Sequence, residues 1–151
     1  MSPMMQTTLN KTVSYEGIGL HAGLPVHMTL RAAEANTGIH FIRTDLPDSP
    51  AIPANLSYVT NTMRATTLEK GEAKVFTVEH LLSALQGLHI DNCIVEMDSV
   101  EPPVADGSSA DFVTMIRKAG IRELNAKREV YRVKKQHLVQ EEDKFIVIMS
   151  Y

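Results

Sequence analysis

Between Phe76 and Leu88 the apolar residues fall at the three-four spacing of a helical stripe: Leu81, Leu82, Leu85 and Leu88, with Val78 one turn earlier. That period predicts an amphipathic helix, and Thr77 at its start is a residue type favoured at helix N-caps. At about 100° per residue, His80 falls away from the stripe, above Ala84 and Gly87, while Glu79 points to another flank with Ser83 and Gln86. The leucines can therefore anchor the helix while a carboxylate and an imidazole face a cleft. The positive end of the helix dipole stabilises an ionised carboxylate and disfavours a protonated imidazole. Both effects suit a metal ligand beside a base.

Elsewhere the pattern alternates. Leu24, Val26, Met28 and Leu30 interleave with Pro25, His27, Thr29 and Arg31, the period of a strand with one buried face and His27 on its outer side. Upstream, Gln6 to Tyr15 reads as a strand running into the loop Glu16–Gly23, where Gly17, Gly19 and Gly23 permit tight turns. After the turn Asn36-Thr37-Gly38, Ile39–Arg43 makes a third strand with His40 on a sheet face, followed by a loop bearing Pro47, Pro50 and Pro53. Leu56–Val59, Ala65–Leu68 and Lys74–Phe76 read as short strands, the last two joined by a turn at Glu69–Glu72 that delivers the chain into the helix.

Beyond the helix, Ile90-Asp91-Asn92 turns into a strand over Cys93–Met97, and Glu101-Pro102-Pro103 opens a loop ending at Asp106-Gly107-Ser108. A second helix follows, with Ser108–Asp111 resembling a capping box, a stripe of Phe112, Met115, Ile116 and Ala119, and an exit at Arg117, Lys118 and Gly120. Glu123–Arg128 is polar and reads as a boundary, which divides the chain into 1–125 and 126–151. In the second part, Val130–Val133 and Leu138–Val139 are strand material ahead of the acidic turn Glu141-Glu142-Asp143. The continuous apolar run Phe145–Met149 has the pattern of a strand buried on both faces, yet the sequence ends at Tyr151. The expectation is a truncated second unit, or one completed by a partner.

Composition narrows the function classes. The 151 residues carry a formal charge of -3, and the basic residues gather on no one segment, which disfavours a nucleic-acid partner. No apolar run approaches the roughly 20 residues of a transmembrane segment, and Met1–Asn10 lacks the apolar core of a signal peptide, so a cytoplasmic location is expected. Cys93, the single cysteine, alternates with Val95 and Met97 and reads as a buried inert thiol.

A glutamate and a histidine at a helix start are also compatible with a solvated acid beside a packing histidine. A catalytic zinc takes three protein ligands and keeps a position for water or substrate, and His80 supplies only one of them. No His-Glu-x-x-His run is present, and Ala84 stands one turn below His80. The i, i+4 pair His137 and Glu141 lies in strand-and-turn sequence and reads as accidental, and His89 as a helix-end capping or surface residue. His21, in the glycine-rich loop, is a second candidate, an exposed loop histidine being the alternative. Asn61-Thr62-Met63-Arg64 offers polar groups and one cation for substrate contact, while Asp106, Ser108 and Asp111 read as turn and cap residues. No catalytic Ser-His-Asp order, phosphate-cradling loop or dinucleotide fingerprint appears. The residues by themselves give half a metal site.

Six stretches in order, Gly17-Ile18-Gly19-Leu20-His21, Asn36-Thr37-Gly38-Ile39, Arg43-Thr44-Asp45, Thr77-Val78-Glu79-His80-Leu81, Ile90-Asp91-Asn92 and Asp106-Gly107-Ser108, resemble the zinc-dependent UDP-3-O-acyl-N-acetylglucosamine deacetylases of lipid A biosynthesis in Gram-negative bacteria. The resemblance runs through the whole chain. It implies an α+β fold, a sheet backed by two helices in two layers like a ribosomal-protein domain, as the first of two similar domains. It implies that His80 is a zinc ligand, that Glu79 is the general base that deprotonates zinc-bound water, and that Leu20, His21, Thr62 and Met63 lie on the substrate side. Leu20 and Met63 would form one wall of the acyl passage. The family's other ligands, a histidine and an aspartate one helical turn apart, and an assisting histidine belong to the second domain. The chain alone is therefore expected to be inactive and to bind zinc weakly. A non-enzymatic binding module of the same fold is the alternative.

Overall fold

The computed structural model describes residues 4–149. In chain order the elements are β1 (Met5–Leu9), β2 (Val13–Ile18), β3 (Pro25–Ala32), β4 (Ile39–Arg43), β5 (Ala51–Pro53), β6 (Val59–Asn61), β7 (Thr67–Lys70), β8 (Ala73–Phe76), α1 (Glu79–Gly87), β9 (Cys93–Met97), α2 (Ala110–Ala119), β10 (Ile121–Lys127), β11 (His137–Glu141) and β12 (Lys144–Ile148). The architecture is α+β, with strands in sheets and two helices.

The largest sheet has the order β2-β3-β9-β4-β5. Its alternating strands bury Val26, Met28 and Leu30 from β3, Cys93, Val95 and Met97 from β9, and Phe41 from β4, and they turn His27 and Arg31 outward. β4 runs parallel to β9, so the chain between them must cross over. That crossover contains β5, the small sheet β6-β7-β8 and α1. Leu81, Ala84 and Leu85 of α1 and Phe112, Met115, Ile116 and Ala119 of α2 fill the same core as the sheet residues. The apolar stripes therefore do fix the helices against the sheet, as their spacing predicts.

β7 and β8 form a hairpin closed by Gly71 and Glu72, with Gly71 at φ 61°, where glycine has no steric penalty. β8 ends at Phe76 and leaves two residues before α1. At the other end of α1, His89 takes φ 59°, and the N–H groups of His89 and Ile90 donate to Gln86 O and Leu85 O, at 3.0 and 2.9 Å. This is the reciprocal pattern of a Schellman cap, closed by the backbone of His89.

Several expectations fail for local reasons. Gln6–Tyr15 is two strands, because the chain bends at Asn10 and Lys11 and β1 pairs β10 while β2 pairs β3. Ala51–Pro53, read as loop, is a strand at the edge of the large sheet, where a proline's missing N–H is tolerated. Leu56–Tyr58 is a single 3-10 turn, with Asn55 Oδ1 accepting from Ser57 N at 2.9 Å, rather than a strand. Glu123–Arg128 is mostly strand β10, which hid in a polar sequence because only Leu124 and Ala126 turn inward. Val130–Val133 is irregular, and the apolar run from Phe145 pairs with β11 in a hairpin whose Phe145, Ile146 and Ile148 are exposed rather than buried on both faces.

Candidate functional site at the start of α1

The helix that carries Glu79 and His80 begins differently from its sequence signature. Thr77 does not cap it: the N-cap position is Val78, at φ -83° and ψ -8°, with no side-chain cap bond. Thr77 instead takes φ 57°, a left-handed conformation uncommon for a β-branched residue, and its hydroxyl is buried with no hydrogen-bond partner among the described residues. The reversal lets the chain leave β8 and immediately bury Val78 and Leu81 in the core. A threonine thus fits the cap preference by composition and is overruled by the packing on either side of it.

Glu79 is exposed, and its carboxylate accepts the backbone N–H of Thr66 from the bend before β7. Burial works against the charge, but the bonds from Thr66 and from the backbone at Glu79, helped by the nearby His80, together hold the carboxyl below its ordinary range. His80 is half-buried, and no hydrogen bond ties its imidazole to a described residue. Its carbonyl accepts Ser83 Oγ at 2.9 Å, and Ser83 Oγ meets Ser109 Oγ at 2.5 Å, linking α1 to the start of α2. The turn before α2 lies within the field of His80: Asp106 is held low first by the hydroxyl and backbone N–H of Ser108 and, more weakly, by His80. The expected capping box is absent there, since Ser108 Oγ accepts Ala110 N at 3.0 Å and the Asp111 carboxylate accepts the Tyr15 hydroxyl at 3.0 Å.

Other candidate residues lie on two loops. In the bend after β6, Asn61 Oδ1 accepts Met63 N at 2.7 Å and Arg64 stands at φ 63°, leaving Met63 82% exposed. Met63, Arg64, Ala65, Thr67 and Phe76 line a pocket together with His21 of the glycine-rich loop. His21 and Met63 are thus brought together; Glu79 and His80 do not line this pocket, and Thr66, which bonds to Glu79, stands in sequence between its lining residues Ala65 and Thr67. Leu20 and Thr62 are exposed on the same loop and the same bend but do not line this pocket.

Sequence reasoning missed Glu101, read only as the start of a loop. It is fully buried, and its carboxylate accepts the N–H of His21 at 2.9 and 3.2 Å and of Ala22 at 2.8 Å. Gly19 is required for this approach, since a Cβ there would lie 2.6 Å from Glu101 Oε2. The run of glycines was the available signal: it leaves backbone donors open for an acceptor that no periodicity reveals.

Other conspicuous motifs serve the fold. Asp91 accepts Thr7 N at 2.7 Å and both Nε and Nη2 of Arg128 at 2.7 Å, while Asn92 donates to Gln6 Oε1 at 3.0 Å and accepts Gly38 N at 2.9 Å. Gln6 in turn donates to Asn36 Oδ1 at 2.7 Å. Arg43, 7% exposed, is bidentate to Asp45 at 2.7 and 2.6 Å and donates to Lys74 O at 2.7 Å, tying β4 to β8. Cys93 is buried, and burial pushes its thiol up to about 12. Among the described residues no three His, Cys, Asp or Glu side chains converge to hold a metal ion, and no helix is long and apolar enough to cross a membrane.

Comparison with known proteins bears on the whole chain. A sequence model of the UDP-3-O-acyl N-acetylglycosamine deacetylase family matches residues 6–151. The chain is 44% identical over 146 residues to the UDP-3-O-acyl-N-acetylglucosamine deacetylase of Coxiella burnetii (strain RSA 493 / Nine Mile phase I), a match covering 97% of the chain and 48% of that relative. It is 47% identical over 146 residues to the enzyme of the same name from Legionella pneumophila (strain Paris), with the same coverage of 97% and 48%. The chain therefore spans about half the length of the curated relatives it matches. With the family match running from Gln6 to Tyr151, the chain belongs to the UDP-3-O-acyl N-acetylglycosamine deacetylase family.

Proposed function

We propose that this chain is part of a zinc-dependent amide hydrolase of the cytoplasm, one that removes acetate from UDP-3-O-acyl-N-acetylglucosamine in lipid A biosynthesis. Residues 1–125 are read as its first domain and 126–151 as the opening of a second. The observation that carries the reading is the pair at the start of α1: a carboxylate held ionised beside a half-buried imidazole with no described partner. A pocket lined by His21, Met63, Arg64 and Phe76 includes the residues on either side of Thr66, whose N–H the Glu79 carboxylate accepts.

His80 fits a zinc ion as one nitrogen ligand, and a catalytic site needs two more, which in this reading come from the remainder of the protein. When bound, zinc polarises a carbonyl and lowers the pKa of water to about 7. Glu79 then acts as general base, accepting the proton of the water that attacks the acetamide carbon; the C–N bond breaks to give acetate and a free amine. The Thr66 N–H orients that carboxylate, at some cost in basicity, from a bend whose Met63, Arg64 and Ala65 line the pocket beside it. Met63 and Leu20 offer apolar surface to an acyl chain, while His21 and Thr62 offer polar contacts.

Acetate release from the UDP-linked substrate by the full-length gene product, with and without a chelator, tests this. Chelator-sensitive turnover that is lost in His80→Ala and absent from the 151-residue chain alone is expected. Turnover indifferent to both the chelator and His80→Ala would reject the ligand assignment. No turnover at all from the full-length product would favour a binding module of the same fold.

A further inference from the structure

Glu101 is a fully buried carboxylate with no ion-pair partner among the described residues, and its bonds go to the backbone N–H groups of His21 and Ala22. Burying a charge is costly unless its hydrogen bonds are well made, so its placement on these two donors calls for a reason. The segment around it supplies one. Val100 O accepts Phe76 N at 3.1 Å, Pro103 bridges to Gly19, and Val104 N donates to Ile18 O at 2.9 Å. Residues 100–104 thus form a strap from the end of β8, two residues before α1, to the glycine-rich loop. Phe76 and His21, two of the residues it reaches, line the same pocket.

We propose that Glu101 is a positioning residue of this site: through the amides of His21 and Ala22 it fixes the loop that presents His21 to the substrate, at a set distance from the start of α1. The inference rests on the functional reading above and adds to it the part that aligns the loop.

The test uses the full-length protein and Glu101→Met, which keeps roughly the length of the side chain but removes the oxygen that accepts both the His21 and the Ala22 N–H. Two readouts are expected to move together. Amide hydrogen exchange quickens at His21 and Ala22 and not at the Thr7–Asp91 knot, and KM for the UDP-linked substrate rises between about tenfold and a hundredfold with kcat little changed. In a His21→Ala background the substitution adds almost nothing to KM, as coupled positions require. Gly19→Ala, which drives a methyl against the carboxylate oxygen that holds the two amides, reproduces the KM effect and decides the matter should Glu101→Met fail to fold. Loosened amides with an unchanged KM, or an effect on KM that multiplies with His21→Ala, overturn the proposal and leave Glu101 a loop anchor. Wild-type protein without turnover removes the functional reading and the positioning role with it, while the exchange data still record the anchor.

Discussion

The knot around Asp91 and the cleft around Glu79 are built from equally short sequence motifs, yet their bonds close in opposite ways. In the knot, Asp91, Asn92, Gln6, Asn36, Thr7 and Arg128 satisfy one another within the chain. In the cleft, Thr77 holds a strained φ of 57° over an unpartnered hydroxyl, His80 has no described partner for its ring, and Met63 stands 82% exposed. Orphaned polar groups and exposed apolar surface raise the free energy of a fold, and a packed domain ordinarily removes them. Met63 and the half-buried His80 ring stay open to contact, whereas the buried Thr77 hydroxyl is an internal cost of the turn into α1. The knot closes its bonds on itself; the start of α1 does not.

Substitutions separate the two most sharply when activity and stability are read side by side. On the general-base role proposed for it, Glu79→Gln in the full-length protein is expected to lower kcat by about 10²–10⁴-fold, with little change in unfolding free energy. Asp91→Ala is expected to do the reverse. It strands Arg128 and the Thr7 N–H, and a cost of about 2–3 kcal/mol in denaturant unfolding should accompany near-normal turnover of the folded enzyme. If Asp91→Ala abolished kcat at full folding, or Glu79→Gln chiefly unfolded the protein, the division between the clusters would be wrong.

A matched pair sharpens the contrast further, because the chemistry removed is the same. Thr8 is fully buried in the knot region, where its hydroxyl donates to Asn92 O at 2.7 Å and accepts Ala33 N at 2.9 Å. Thr8→Val should therefore destabilise by about 1–3 kcal/mol, leaving two groups unpaired. Thr77→Val removes a hydroxyl that bonds to no described residue and should be neutral or stabilising by up to about 1 kcal/mol. Urea titrations of both variants check the signs; equal losses would show that the Thr77 hydroxyl has a protein partner after all.

The same contrast explains what was legible in the sequence. Stripes such as Leu81, Leu85, Phe112 and Ile116, and alternations such as Val26, Met28 and Leu30, report burial directly, so the helices and the central strands follow from period alone. Strand β10 did not, because only two of its side chains turn inward, and β5 was masked by Pro53 at its end and Pro50 just before it. At the site, Glu79 and His80 stand out as a reactive pair, but Glu101 does not. Its role depends on two backbone N–H groups 79 and 80 residues away. Thr77 shows the limit from the other side: cap preference is a local quantity, and a tertiary demand of a few kcal/mol overrides it.

The smallest expected effect concerns the ionisation of Glu79. Its folded carboxyl lies below the unfolded value, so the unfolded chain takes up a proton first as the pH falls. Whatever stability this supplies is fully present above the unfolded pKa and is lost as pH falls through the folded one. Because the side chain is exposed, solvent screening should keep the contribution below about 1 kcal/mol. Unfolding free energies of wild type and Glu79→Gln, measured from about pH 7 down through the carboxylate range, should therefore converge on acidification, the wild type losing its small advantage. The Asp91 knot supplies the control, since Thr8→Val changes no titrating group and should run parallel to wild type throughout. Parallel curves for Glu79→Gln as well would mean that the Thr66 N–H does not hold the carboxylate in solution, and the proposed base would lose the bond that aims it.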